Sequence, residues 1–501
     1  MQLFEFIASI VPMILVQCCI LFINVITTMH LGKGDTAWLA GASLGGLVFN
    51  VFGLMLVVAP MTALDTVAPQ AWGAGHRAEV GLSTQRAFIT AILFLLPAMA
   101  LWSYAEDILL ALGQPPRASE LAASYLQVLL PALPIQAVFE SSRRFLYAQS
   151  IRWPPLLAAA IGTALHPLWL TLLVDRIGFT GGPLAILCTH TVFMLLLLSY
   201  ILLVRPHHPS SWPGVRPIAL IRDRRACMRF LTLSLAGLLA LSEWLFWEVV
   251  CFRAGRFGRV PLAVHGTAYS IVPLAFMVPL GLSIGVSNAV GQLLGAGQVA
   301  KAKRLAMLSM ALGVGLVCLV SASVFLARDP IVGGYTSDDE VIEGARRIWP
   351  WLFVDLFFDG AFALLSGLGR GLGLQRRTSA CIVLCLWPIG VPLVFVAPSL
   401  EAIWMVMPAI YLALDLSVGI CCACADWAKI AEAIKQAAPL AADDSAAMAG
   451  ASSAALSDDA GIVITSSTAT DPAELAMGET EMVTPATKPA LRVARDEANT
   501  E

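Results

Sequence analysis

Two carboxylates stand inside an apolar run at Ser242–Phe252, which reads Ser-Glu-Trp-Leu-Phe-Trp-Glu-Val-Val-Cys-Phe. An ionisable group held in hydrocarbon is costly unless it is paired, protonated or faces a wet cavity, so Glu243 and Glu248 are functional candidates by default. A spacing of five on an α-helix turns the second residue roughly 140° from the first, so the two acids share a broad sector but no single line. A second acidic pair, Asp355 and Asp359, is four residues apart and lies on one helix face. Desolvation and mutual repulsion both disfavour ionising clustered carboxylates. A proton and an organic cation can then compete for one negative charge, which is the minimal basis of antiport. Trp244, Phe246, Trp247 and Phe252 add aromatic faces on which a lipophilic cation could rest, each contact worth about 0.5–2 kcal/mol.

The elements that must hold these residues are membrane spans. The 501 residues are 58% hydrophobic and only 13% charged, with a mean hydropathy of +0.79. A soluble domain carries about 25% charged residues, so an all-α integral membrane protein is expected. The basic residues sit in short loops between apolar spans and form no patch or stripe, which excludes nucleic-acid binding. Residues 6–26 are too long for a leader's apolar core and lack a basic lead-in, so they are read as the first span. Most of the eleven cysteines lie in apolar spans with no zinc-like spacing or disulfide ladder, where Cys is a small hydrophobe.

Twelve stretches of sufficient length follow, near 6–28, 38–63, 87–105, 119–141, 153–174, 181–204, 227–252, 262–288, 304–327, 345–367, 379–398 and 401–425. The polar, Pro- and Arg-rich stretch between the sixth and seventh predicts two pseudo-symmetric six-helix lobes, 1–204 and 227–425, joined by a linker at 205–226. Seventeen basic residues fall in loops on the linker's side and nine on the other, which puts the linker and both termini in the cytoplasm. Gln70-Ala-Trp-Gly73-Ala-Gly75 after the second span matches Gln292-Leu-Leu-Gly295-Ala-Gly297 after the eighth, an equivalent place in the other half. Parallel repeats of this kind suit lobes that rock about a central site. Residues 426–501 read as a cytoplasmic tail, mostly disordered, because an Ala-, Ser-, Thr- and acid-rich stretch cannot bury enough surface to order itself.

Five motifs in order carry a family resemblance. Leu64-Asp65-Thr66 with Gln70, Gly73 and Ala74 comes first, then Phe145-Leu146-Tyr147-Ala148-Gln149, then Glu243-Trp244 with Trp247-Glu248. Val286-Ser287-Asn288 with Gly295-Ala296-Gly297 follows, and Ser366-Gly367-Leu368-Gly369-Arg370-Gly371 closes the set. From about Val11 to the twelfth span the chain resembles the multidrug and toxic compound extrusion (MATE) family in its eukaryotic branch. The resemblance implies a two-lobed antiporter that exports organic cations, xenobiotics or amphiphilic metabolites in exchange for protons, or in some members sodium. It implies an acidic site on the seventh and tenth spans, where Glu243 and Glu248 align and Asp359, counted back from Arg370, takes the tenth-span place. Asp355, Trp244, Trp247, Tyr269, Gln17 and Asn24 are secondary candidates. The acid that often follows the eighth-span Tyr is replaced by Ser270, and the first span lacks the Asp of many bacterial members, leaving Gln17 and Asn24 as its polar groups.

Other polar residues have simpler readings. Asp65, Gln70, Gln292 and Arg370 are motif residues at helix ends, expected to cap or latch helices during switching; Glu140, Arg143 and Arg144 are expected to form a boundary ion pair. His166 and His190 are expected to be satisfied core groups, Asp415 to orient a neighbour, and Phe276 and Met277 to be packing. Pro131, Pro134, Pro273 and Pro279 are expected to interrupt helices. The alternatives are a lipid-linked precursor flippase of the same broader fold group, which would want a basic cavity, and an intramembrane enzyme, for which no nucleophile and base signature is present. No cofactor and no metal are expected, and the expected state is a monomer in a plasma or vacuolar/endomembrane bilayer.

Overall fold

The computed structural model describes residues 3–34, 36–215 and 223–436. The tail beyond 436, together with Asp35, Arg216 and Arg222, lies outside the described residues. Among those described, the chain is helical with no strand. Backbone groups in hydrocarbon have no water to bond, so spans close their own hydrogen bonds as helices.

Ten helical stretches are long and apolar enough to cross a membrane, and the pair Pro116–Leu129 and Ala132–Ala148, bent by 48°, makes an eleventh crossing. One of the ten, Trp153–Val204, is two antiparallel spans. Gly178 turns the chain at φ +68°, a conformation costly for any residue with a Cβ, and the stretches Trp153–Ile177 and Gly181–Ser199 then pack along each other. This brings the crossings to twelve. In order they are Leu3–Leu31, Ala37–Gly73, Arg77–Trp102, the bent pair, the two arms of the hairpin, Arg224–Gly255, Arg259–Gly295, Val299–Leu326, Asp339–Leu372, Gln375–Val396 and Leu400–Ala423.

Each half buries its own apolar core, but the seam is interwoven. The start of the first span contributes Phe6 and Ile10 to the second lobe's core, while the start of the seventh contributes Phe230 and Leu233 to the first lobe's. The first span packs on the eighth and the seventh on the second, the same crossing seen twice.

On the linker face the repeated Gln-Gly motifs meet and cross. Gln70 Nε2 donates to the Gly371 carbonyl at the end of the tenth span (3.0 Å), and Gln292 Nε2 donates to the Ala148 carbonyl at the end of the fourth (2.9 Å). Thr66 Oγ1 adds a bond to the Arg370 carbonyl (2.7 Å), and Gln375 Nε2 one to the Thr62 carbonyl (2.6 Å). Glycine is required for this approach: a Cβ on Gly73 would lie 2.9 Å from the Gln292 Cα, and one on Gly295 2.8 Å from the Ala74 nitrogen.

Three details add to the reading. Trp427–Gln436 is a helix that buries Trp427, Ala431 and Ile434 against the eighth and ninth spans, while 437–501, the stretch whose composition predicts disorder, lies outside the described residues. The first part of the linker is strapped to the first lobe, with His208 N and Ser211 Oγ both donating to Gln149 Oε1 at 3.0 Å. Pro131 caps the break in the fourth span and Pro273 opens a helix after the break at Ile271, but Pro134 and Pro279 interrupt nothing: Pro134 lies in the first turn of Ala132–Ala148, where no donor is needed, and Pro279 within the unbroken helix Val272–Gly295.

Gly73→Val should part the crossed latch. Amide hydrogen exchange of residues 69–75 and 290–297 should speed up about tenfold, whereas Gly46→Ala, where a Cβ meets nothing within 4 Å, should leave it unchanged.

Candidate functional site

Between the lobes, ending against the latch, lies a cavity of about 360 Å³. Its wall takes residues from both halves, and it is large enough for a small organic molecule. Glu243, Glu248 and Asp359 all line it, as do Trp244, Trp247, Tyr269, Gln17 and Asn24.

Glu243 is buried at the start of a helix that begins afresh at Ser242, and its Oε1 accepts from the Tyr411 hydroxyl (2.7 Å) and from Trp247 Nε1 (2.9 Å). Trp247 also donates to the Tyr411 oxygen (2.8 Å), closing a three-membered ring of hydrogen bonds. Glu248 is half-buried and accepts from the Tyr269 hydroxyl at 3.2 Å. The Tyr269 ring stacks on Trp247, with centroids 5.6 Å apart and planes 23° apart. Trp404 lies 6.1 Å from Trp247 on its other side. The two acids thus occupy one aromatic wall with separate hydroxyl donors.

Asp359 comes from the tenth span. It is buried, its Oδ1 has no hydrogen-bond partner among the described residues, and it lies within the electrostatic reach of Glu243, Asp355 and Asp415. Asp355 does not reach the cavity wall. It is one helical turn farther from the linker face and fully enclosed in the second lobe, with neither oxygen hydrogen-bonded among the described residues. Asp415, expected to orient a neighbour, likewise makes no hydrogen bond there. Among the described residues, none of Glu243, Asp355, Asp359 and Asp415 has an Arg or Lys in ion-pair contact.

The first lobe's acids are different. Glu140 pairs with Arg143 Nη2 at 2.7 Å and with Arg144, and Arg144 Nε meets Asp65 at 3.0 Å. Arg143 Nη1 donates to Gln17 at 2.8 Å. The expected ion pair forms, and Glu140, Arg143 and Arg144 line the cavity at its linker end, within eight residues of the end of the fourth span at Ala148. Arg370 lines the same end. Three of the seventeen basic residues assigned to linker-side loops are therefore cavity residues, which leaves fourteen against nine.

Phe252 is 65% exposed on the outer surface and Phe246 is packed in the core, so neither offers an aromatic face to the cavity. Phe276 and Met277, read as packing, line it. His166 bonds Thr27 (2.8 Å) and Thr189 (2.9 Å), and His190 bonds Gln136 (2.8 Å). Tyr411 escaped the sequence reading although it stands four residues before Asp415 on a shared face. His265, four before Tyr269, escaped too. It is fully buried, stacks on Tyr269 at 5.7 Å, and neither ring nitrogen has a hydrogen-bond partner among the described residues.

Comparison with known proteins agrees with this architecture. The family model described as MatE matches residues 12–170 and 236–396, one stretch in each lobe. Multidrug and toxin extrusion protein 1 of Danio rerio is 28% identical over 391 residues, which cover 76% of this chain and 64% of that protein's length. The protein of the same name from Homo sapiens is 28% identical over 388 residues, 76% of this chain and 67% of its own length. An uncharacterized transporter of Schizosaccharomyces pombe, C323.07c, is 30% identical over 359 residues, 71% of this chain and 66% of that one. The crystal structure of the eukaryotic MATE transporter AtDTX14 superposes with a TM-score of 0.81 at 22% identity, over 86% of this chain and 99% of that one. With twelve crossings in two interwoven lobes and a family match falling once on each, this chain is a multi-pass membrane transporter of the MATE family.

Proposed function

We propose that the protein is an efflux antiporter that exports organic cations in exchange for protons by alternating access. The observation that carries the reading is that Glu243, Glu248 and Asp359 line an aromatic-walled cavity, with Asp355 and Asp415 buried within electrostatic reach of Asp359, and no Arg or Lys is in ion-pair contact with any of the five among the described residues. Charges so placed cannot all persist in a low-dielectric interior without compensation. The compensation comes from a guest, either protons or a cation held among Glu243, Glu248 and Asp359 beside the Trp244 ring. Acids of the first lobe already have their arginines, so exchange is assigned to the second lobe. Asp65, Gln70, Gln292 and Arg370 act in the gate.

With the linker face and both termini in the cytoplasm, the crossed latch closes the cavity to the cytoplasm and this conformation is the one that releases cargo. Opening requires the lobes to rock apart at the linker face while the interwoven first and seventh spans act as the pivot. One copy suffices, since the site is complete within a single chain. The names of the relatives, multidrug and toxin extrusion proteins, support the substrate class. The plasma membrane or an endomembrane is the proposed host.

In vesicles with an imposed pH gradient, Glu243→Gln should lower exchange of a fluorescent organic cation for protons at least tenfold; a mutant that exchanges at the wild-type rate would remove Glu243 from the site. An equal wild-type response to a sodium gradient at uniform pH would reassign the coupling ion. Tyr411→Phe should slow exchange several-fold by itself and add little on top of Glu243→Gln, because the two share one hydrogen bond and cannot act independently. Full additivity in that double-mutant cycle would assign Tyr411 a role elsewhere.

A further inference from the structure

The cavity is bipolar, and its linker end is under-neutralised in the opposite sense to its acidic wall. Arg143, Arg144 and Arg370 line that end together with only two acids, Asp65 and Glu140. Both acids are committed to the first lobe, Glu140 to Arg143 and Arg144 and Asp65 to Arg144 Nε. Asp65 is also the acid whose field reaches Arg370. Among the described residues the Arg370 guanidinium is held by two hydroxyls, Ser366 at 3.1 Å and Ser283 at 2.9 Å. Its Nε and that of Arg143, whose side chain is 3% exposed, have no hydrogen-bond partner among the described residues. Three guanidiniums therefore share two carboxylates, and none of their Nε donors makes a hydrogen bond among the described residues, an arrangement matched by a planar oxyanion.

The geometry ties this end to the acidic wall. Asp359, Phe362, Ala363, Ser366 and Arg370 all line the cavity, a spacing of three, four, seven and eleven that forms one continuous stripe along the tenth span. The Arg370 side chain folds back up its helix to Ser366, as the tilt of helical side chains towards the N-terminus requires. Its guanidinium thus lies level with a residue seven positions from Asp359, about 10 Å along the axis at 1.5 Å per residue. Apolar surface from Phe362 and Ala363 separates the two poles.

We propose that the linker end of the cavity is an anion subsite, in which Arg370, supported by Arg143, receives the carboxylate, sulfonate or phosphate of an amphoteric organic ion whose cationic end rests among Glu243, Glu248 and Asp359. This deepens the export reading and rests on it for the cationic end only. The preferred cargo is an elongated zwitterion with its charges at opposite ends of an apolar body. A simple cation uses half the site and leaves Arg370 to water.

The test uses three probes on one scaffold: N-methyl-phenylpyridinium, its para-carboxyphenyl analogue and the neutral-tipped para-carbamoyl analogue. Their affinities for the full chain in nanodiscs are measured by calorimetry, which needs no transport. The wild type should bind the carboxyl analogue at least as tightly as the carbamoyl one. Arg370→Gln should weaken the carboxyl analogue about tenfold or more relative to the carbamoyl analogue, and Arg370→Lys should recover part of that ratio. The Thr66 bond to the Arg370 carbonyl is untouched by either substitution, and carbamoyl binding reports whether the cavity is intact. An equal loss of both analogues in Arg370→Gln, or rejection of the carboxyl analogue by the wild type, overturns the subsite. Proton-driven exchange of the parent pyridinium is read separately, so failure of the export reading is distinguishable from failure of the subsite.

Discussion

A carboxylate sealed in a low-dielectric interior must be compensated, and the two lobes meet that constraint in different ways. In the first lobe Glu140 is tied to Arg143 and Arg144 within one turn of the fourth span, and Asp65 of the second span meets Arg144 across the two helices. In the second lobe Glu243 has only hydroxyl and indole donors, and Asp355 and Asp415 have no hydrogen-bond donor among the described residues. Hydroxyls stabilise a carboxylate without cancelling its charge. One lobe is therefore electrostatically closed and the other electrostatically open, and the exchange of guests belongs where the charge is unbalanced.

The same division explains why the site needs both halves. Glu243 and Glu248 stand on the seventh span, Asp359 on the tenth, Tyr269 on the eighth and Tyr411 on the twelfth, all in the second lobe. The cavity's other wall comes from the first, second and fourth spans. The second arm of the bent fourth span, Ala132–Ala148, contributes an ionic cluster to that wall at its linker end. The result is a chamber with acids beside aromatic rings at one end and, at the other, Arg143 and Arg144 paired with Glu140 and Asp65 and Arg370 held by serine hydroxyls.

The seam that must open is built from weak, repeated elements. Gln70 and Gln292 each donate one bond to a main-chain carbonyl of the opposite lobe, and Gly73 and Gly295 let the backbones touch. Neutral hydrogen bonds of this kind contribute only about 0.5–1.5 kcal/mol each. A latch made of a few such bonds holds a conformation without trapping it. The core exchange between Phe6 and Ile10 on one side and Phe230 and Leu233 on the other is larger and apolar, and it is the part of the seam suited to stay closed as the lobes move.

Composition and periodicity by themselves determined the membrane class, the twelve crossings, the two halves and the duplicated Gln-Gly motif, because hydrocarbon thickness and backbone satisfaction leave a local signature in every span. They also made Glu243 and Glu248 conspicuous as acids in an apolar run, while Asp359 is set apart from Asp355 only by its offset from Arg370 in the family motif. Whether such an acid reaches water is a matter of which helix lies beside it. Asp355 and Asp359 are indistinguishable by type and face, yet only Asp359 lines the cavity. Tertiary structure alone decided that Tyr411, 168 residues away, completes Glu243's hydrogen bonding, that Arg143 and Arg144 belong to the chamber and not to a loop, and that Phe252 faces outward. Those outcomes depend on a restart of the seventh helix at Ser242 and the packing of spans far apart in the chain, and neither of these is encoded in the spacing of neighbouring residues.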